Sequence, residues 1–208
     1  MGIEVERKFI VPLEHHALFL GLPPGINQME IVQAYLSSEK GKTVRLRIER
    51  RSYTLKYDDS RIGRRAYTLK SNESTRWEES CWITIKGPSL DGGLTRSEWE
   101  EKFSVQAAEE IIAALNPPRL QKTRNFVKNG EDIWEVDVLK VNTVAGRAPA
   151  IWSYLVVAEF EHGDPEKVKG VALPPWVGKE VTGDSRFSMV NLVTEAQRDL
   201  AWRAAYAQ

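Results

Sequence analysis

Met1-Gly2-Ile3-Glu4-Val5-Glu6-Arg7-Lys8-Phe9-Ile10-Val11 opens the chain, and its period-two alternation governs how the rest is read. Side chains alternate across a strand, so Ile3, Val5 and Phe9 share one face, interrupted by Arg7. Glu4, Glu6, Lys8 and Ile10 share the other. Carboxylates two residues apart on a strand sit about 7 Å apart and, at an effective dielectric near 20, repel by roughly 2 kcal/mol. That arrangement does not stabilise a strand by itself. A divalent cation would relieve it, because Mg²⁺ and Mn²⁺ prefer hard oxygen ligands. On this stretch alone the plainer account is a solvated strand face carrying a Glu-Lys pair.

The same alternation recurs along the chain. Gln28–Ser38 and Thr43–Arg51 are predicted strands joined by a turn at Glu39-Lys40-Gly41-Lys42. The second carries Val44, Leu46 and Ile48 on one face and Arg45 and Arg47 on the other. Cys81–Gly87 opposes Ile83 and Ile85 to Trp82, Thr84 and Lys86, and Leu94–Phe103 places Glu98 and Glu100 together. Leu120–Lys128 presents Lys122 with Arg124. Asp132–Val141 presents either Glu135 and Asp137 or the apolar set Trp134, Val136 and Val138, and Ser153–Glu161 presents Glu159 with Glu161. Val105–Leu115 has helical spacing behind a Ser104 cap, a short helix opens at Asp164-Pro165, and a terminal helix is expected at about 194–207. Residues 52–80 break the pattern and are expected to form an extended loop or extra hairpin inserted at one mouth of the fold. The whole, 1–208, is predicted to be a single domain of α+β class, mainly β.

Composition limits the function. The 208 residues carry 29 basic and 29 acidic side chains, so no global field draws the chain to nucleic acid or membrane. One cysteine, Cys81, excludes an internal disulfide and a cysteine-rich zinc site. With no apolar run of membrane-spanning length and no signal peptide, the cytoplasm is the expected compartment. The adjacent His15 and His16 are expected at the surface. Gly41-Lys42-Thr43 lacks the earlier glycine of a phosphate-binding P-loop and is better read as a turn. Tyr35 is a candidate for the wall of any internal channel, equally placed for packing.

Strands whose polar face is this ionic suit a closed antiparallel barrel, apolar outside against helices and polar inside along a lumen. Its basic members would take the oxyanions of a phosphate chain, and its acidic members one or two divalent cations. Burying so many charges without a ligand is costly unless each is paired, so the set points to a polyanion carrying metals.

Glu4-x-Glu6-x-Lys8, Arg45-x-Arg47, Lys86, Glu98/Glu100, Lys122-Thr-Arg124, Trp134-Glu-Val-Asp137, Glu159/Glu161 and Lys179-Glu-Val-Thr-Gly-Asp184, in that order, resemble the CYTH superfamily, the triphosphate tunnel metalloenzymes. The resemblance implies an eight-stranded antiparallel closed barrel that binds linear triphosphates with Mg²⁺ or Mn²⁺. Carried over by position, Glu4, Glu159 and Glu161 would hold a metal, and Glu6 would position or deprotonate water, with a second metal as an option. Lys8, Arg45, Arg47, Lys86, Lys122 and Arg124 would grip phosphate, with Lys179 closing over the site, and Glu98, Glu100 and Asp137 would support. The expected activity is hydrolysis of inorganic tripolyphosphate. Thiamine triphosphatase or class IV adenylyl cyclase activity, and a non-catalytic polyphosphate-binding module, are the alternatives. The outer barrel face is where a homodimer would form.

Overall fold

The computed structural model describes residues 2–20, 28–39, 41–54, 75–141 and 153–206. Eight strands, β1 (Gly2–Ile10), β2 (Gln28–Glu39), β3 (Lys42–Thr54), β4 (Thr75–Leu90), β5 (Thr95–Phe103), β6 (Arg119–Asn129), β7 (Asp132–Val141) and β8 (Ser153–Glu161), close into one antiparallel barrel. Around the barrel the order is β1-β5-β4-β3-β2-β6-β7-β8, so β2 to β5 and β6 to β8 are runs of sequential hairpins and β1 joins β5 to β8. Closure gives each of the eight strands a neighbour on both sides, which is how an antiparallel sheet with an ionic face avoids pairing with other chains.

The two faces of each strand part as the alternation predicts. Outward residues Val5, Phe9, Trp134, Val136, Val156, Ala158 and Phe160 form a core under Phe19, Val168 of α2 (Pro165–Lys169) and Val171. On the opposite wall, Ala34, Leu46, Ile48 and Cys81 lie under Ala108 and Ile112 of α1 (Val105–Leu115). Helix α1 starts where Ser104 Oγ accepts the Ala107 N–H at 3.2 Å and stops at Asn116 in the left-handed region, before Pro117-Pro118. Arg7, which interrupts the apolar face of β1, forms a two-pronged pair with Glu180 at 3.0 and 2.7 Å.

That pair ties down the segment completing β1. The first half of β1 pairs with β5 and the second with β8, and Gly178–Val181 runs antiparallel to Lys8–Ile10 on the side that β5 vacates. Gly178 N–H donates to Ile10 O, Ile10 N–H to Lys179 O and Val181 N–H to Lys8 O, all at 2.8–2.9 Å.

Three expectations change. Strands β3 and β4 reach Thr54 and back to Thr75, so the loop expected over 52–80 is narrower at both ends; 55–74, with the strand-like 66–70, lies outside the described residues. Ladder hydrogen bonds carry those outer rungs where apolar alternation has faded. Second, the inner face is not polar throughout: Ile10, Leu120, Leu139, Leu155 and Val157 share the inward parity of the charged residues. They pack with Phe187, Met189, Leu192 and Ala201 from the C-terminal segment and α3 (Glu195–Tyr206), which closes part of one barrel end with an apolar plug. Third, His16 is buried, its Nε2 3.1 Å from both Val11 O and Tyr206 Oη, because α3 folds back over the turn that carries it. Among the described residues no helix is long and apolar enough to cross a membrane.

Candidate active site

The lumen holds a cavity of about 570 Å³. Of the predicted site residues, Glu4, Glu6, Lys8, Arg45, Arg47, Lys86, Glu98, Glu100, Lys122, Arg124, Glu159 and Glu161 line it. Asp137 lies behind the lining, fully buried. Lys179 is exposed and outside the lining; the residues that follow it, Val181 to Asp184, form that part of the wall instead. The hydrogen-bonded register on β1 sets which side chains of this segment face inward. Arg96 and Glu135 also line the cavity, residues to which the resemblance gives no role. Arg96 sits two residues before Glu98, so period-two reading of β5 carries the signal for it.

The charges form two groups. One is self-neutralised. Asp137 accepts from Lys122 and from Arg124 Nε and Nη2 at 2.7 Å each, and Arg124 also bonds Glu135 and reaches Glu159 at 2.9 Å. Lys8 Nζ lies 2.9 Å from Glu159 and 3.7 Å from Glu6. Burial opposes ionisation of Glu159 and Asp137, but the surrounding cations hold both carboxyls below their ordinary values. Lys122 goes the other way: burial and the Arg124 guanidinium lower it to about 8, against the pull of Asp137.

The second group brings together Glu4, Glu98 and Glu161, with one oxygen of each lying within 4.8 Å of the others. Strand register accounts for this. Gly2 sits opposite Glu98 across β1 and β5, and Glu6 opposite Glu161 across β1 and β8, so Glu4 projects between them. Of the expected metal ligands, Glu4 and Glu161 are in this cluster. Glu159 is held by Lys8 and Arg124, and Glu6 faces Lys8 and Arg96. Burial works against the Glu4 charge, yet Lys86 and Arg96 lower its carboxyl to about 2. Glu161 reaches solvent, but partial desolvation and the Glu4 and Glu135 charges raise it to about 7. Three carboxylates converging on one point offer the hard oxygen ligands that a divalent cation such as Mg²⁺ or Mn²⁺ takes.

Beside this cluster, Arg45 is buried, and its Nε has no hydrogen-bond partner. Among the described residues it forms no ion pair with a carboxylate, whereas Arg47 is held by Glu49 at 2.9 Å and Glu100 at 3.0 Å. Tyr35 and Lys86 are the groups near Arg45. A buried guanidinium without a counter-charge is a demand for an anion.

No protein-family model matches the chain. It is 29% identical over 194 residues, 93% of its length and 94% of the relative's, to an inorganic triphosphatase of Acetivibrio thermocellus. It is 33% identical over 106 residues, 50% of its length and 62% of the relative's, to an inorganic triphosphatase of Nitrosomonas europaea. Among solved structures it is similar to the inorganic triphosphatase NE1496, with TM-score 0.45, 23% identity and coverage of 97% and 95%. A Hippeastrum putative adenylyl cyclase, HpAC1, described with a dominant triphosphatase activity, aligns with TM-score 0.44, 16% identity and coverage of 82% and 84%. The chain is a closed eight-stranded antiparallel barrel with an ionic lumen, similar in sequence along nearly its whole length to an inorganic triphosphatase.

Proposed function

We propose that this chain is a metal-dependent inorganic triphosphatase that hydrolyses tripolyphosphate to phosphate and pyrophosphate inside the barrel. The observation that carries the reading is the pairing, in one cavity, of an uncompensated buried guanidinium at Arg45 with the Glu4, Glu98 and Glu161 oxygens. An anion that also brings hard cations satisfies both halves; a bare anion or a bare cation satisfies one. The near full-length similarity to an inorganic triphosphatase supports the same substrate class.

Glu4, Glu98 and Glu161 would hold Mg²⁺ or Mn²⁺. When bound, such an ion neutralises phosphoryl oxygens and polarises the bond to be broken. Arg45 and Arg47 grip the phosphate chain, Arg47 oriented by Glu49 and Glu100, while Lys8, Lys122 and Arg124, each already paired with a carboxylate, line the cavity beside them. Glu6, on the cavity wall beside Lys8, positions the attacking water and takes its proton. Phosphoryl transfer requires charge neutralisation and an aligned water more than a covalent nucleophile, so the lumen needs no activated serine or cysteine.

The test is phosphate and pyrophosphate release from tripolyphosphate, ATP and thiamine triphosphate side by side, with Mg²⁺, with Mn²⁺ and with chelator. Metal-dependent release from tripolyphosphate well above the other two is expected. Cyclic AMP from ATP, or tight binding with no turnover under either metal, would sink the proposal.

A further inference from the structure

One ammonium already occupies the carboxylate cluster. Lys86 Nζ lies 2.6 Å from Glu4 Oε1, 2.7 Å from Glu4 Oε2 and 3.3 Å from Glu98 Oε1. Arg96 Nε takes Glu4 Oε2 from the other side at 2.6 Å. Both Glu4 oxygens and one Glu98 oxygen are therefore committed to protein cations. Lys86 is buried, so water does not screen it from its neighbours. A divalent cation on those oxygens and an ammonium on the same oxygens repel at contact range, so the two compete for them.

The far side of Lys86 offers it a second role. Arg45, whose guanidinium lacks a carboxylate, is its cationic neighbour, and the two strands adjoin, with Thr43 opposite Lys86 and Arg45 opposite Thr84. Off Glu4, the Lys86 ammonium becomes a second uncompensated cation beside the first. Two adjacent buried cations without counter-charges suit the oxyanions of a polyphosphate and little else.

We propose that Lys86 is the resident counter-cation of the Glu4, Glu98 and Glu161 cluster, and that a divalent ion binds there only as Lys86 leaves Glu4. The released Lys86 joins Arg45 in binding phosphate, so metal loading creates the full anion site and precedes substrate. The inference rests on the metal-dependent reading above and describes how that site is regulated. Linkage makes the coupling reciprocal: polyphosphate that holds Lys86 away from Glu4 tightens metal binding by the same factor.

The test is Mn²⁺ binding to chelator-treated, full-length protein without phosphate, with free Mn²⁺ read by electron paramagnetic resonance. Lys86→Met is expected to lower the Mn²⁺ Kd at least about tenfold. Lys122→Met, which removes a buried ammonium bound to Asp137 and not to the cluster, is expected to change it less than about threefold. Equal gains in both variants would reduce the effect to general electrostatics and overturn the displacement. No gain in Lys86→Met, with Mn²⁺ still binding the wild type, would overturn it too while leaving the metal-dependent reading intact. Absence of Mn²⁺ binding in every form would overturn both.

A measurement on the native chain guards against a variant that fails to fold. In ¹⁵N-lysine-labelled protein, the Lys86 ammonium signal, assigned by its loss in Lys86→Arg, is expected to shift on adding Mg²⁺ and return on chelation. A Lys86 signal unmoved at saturating Mg²⁺ would overturn the proposal.

Discussion

Gly183 and Gly93 pass so close that a Cβ on Gly93 would lie 2.3 Å from Gly183 Cα, and one on Gly183 would lie 1.8 Å from Gly92 O. Both adopt positive φ, +100° at Gly93 and +75° at Gly183. The contact joins the β4–β5 turn to the Val181-Thr-Gly-Asp184 wall of the cavity. Gly183→Ala is therefore expected to cost at least about 2 kcal/mol, from left-handed backbone strain plus a backbone clash. Urea denaturation of the two proteins measures it, and superimposable curves would contradict the close approach.

Arg45 makes the opposite prediction, because it serves a ligand at the expense of the fold. Removing a buried guanidinium that has no carboxylate counter-charge among the described residues relieves a desolvation cost, so Arg45→Met should stabilise the ligand-free protein by about 1 kcal/mol or more. The same change should raise KM for tripolyphosphate at least about tenfold. Thermal unfolding and steady-state kinetics on one preparation decide it. A variant that is less stable with unchanged KM would place Arg45 among structural residues.

Asp137 balances Lys122 and Arg124 with no access to solvent. Asp137→Asn leaves those cations buried against a neutral amide and should cost about 3 kcal/mol or more. Added tripolyphosphate should recover part of that loss, since an anion supplies the missing charge. Denaturant midpoints with and without tripolyphosphate test both parts.

Glu6→Gln keeps the shape of the cavity wall and removes the group assigned to water. Turnover is expected to fall by at least about 10²-fold with tripolyphosphate binding largely retained. Near-wild-type turnover would take Glu6 out of that role.

Lys122, held at about 8 by burial and Arg124, gives a pH dependence of definite sign. Its folded value lies below the unfolded one, so the folded state binds fewer protons between about 8 and the ordinary lysine value near 10.4. The penalty is fully present below pH 8, and stability from this group rises as pH climbs through that window. Binding runs the other way: tripolyphosphate affinity should fall above pH 8 as the ammonium is lost. Lys122→Arg, which stays charged, should flatten that limb in calorimetric titrations at pH 7 and pH 9.

Much of this was legible in the residues. Glu4-x-Glu6-x-Lys8 and Arg45-x-Arg47 show their inward side by alternation alone, and the apolar residues between them show what the helices cover. Arg96 is legible in the same alternation, two residues before Glu98 on the face that carries the carboxylates. The burial of His16 was not legible, because its partner Tyr206 is 190 residues away and two adjacent histidines look alike in sequence. Nor was the exposed position of Lys179, which depends on how a segment without strand alternation docks on β1.

The sequence by itself determined the period-two pattern, and with it the strands, their two faces and the ionic character of the lumen. These are local properties, set by the backbone pleat. Only the tertiary structure decided that Glu98 joins Glu4 and Glu161, that Lys86 lies across that cluster, that Glu159 is spent on Lys8 and Arg124, and that Arg45 has no carboxylate partner among the described residues. Those outcomes depend on cross-strand register and on where the barrel closes. A shift of two residues between β1 and β5 would keep every alternation intact and give each charge a different neighbour.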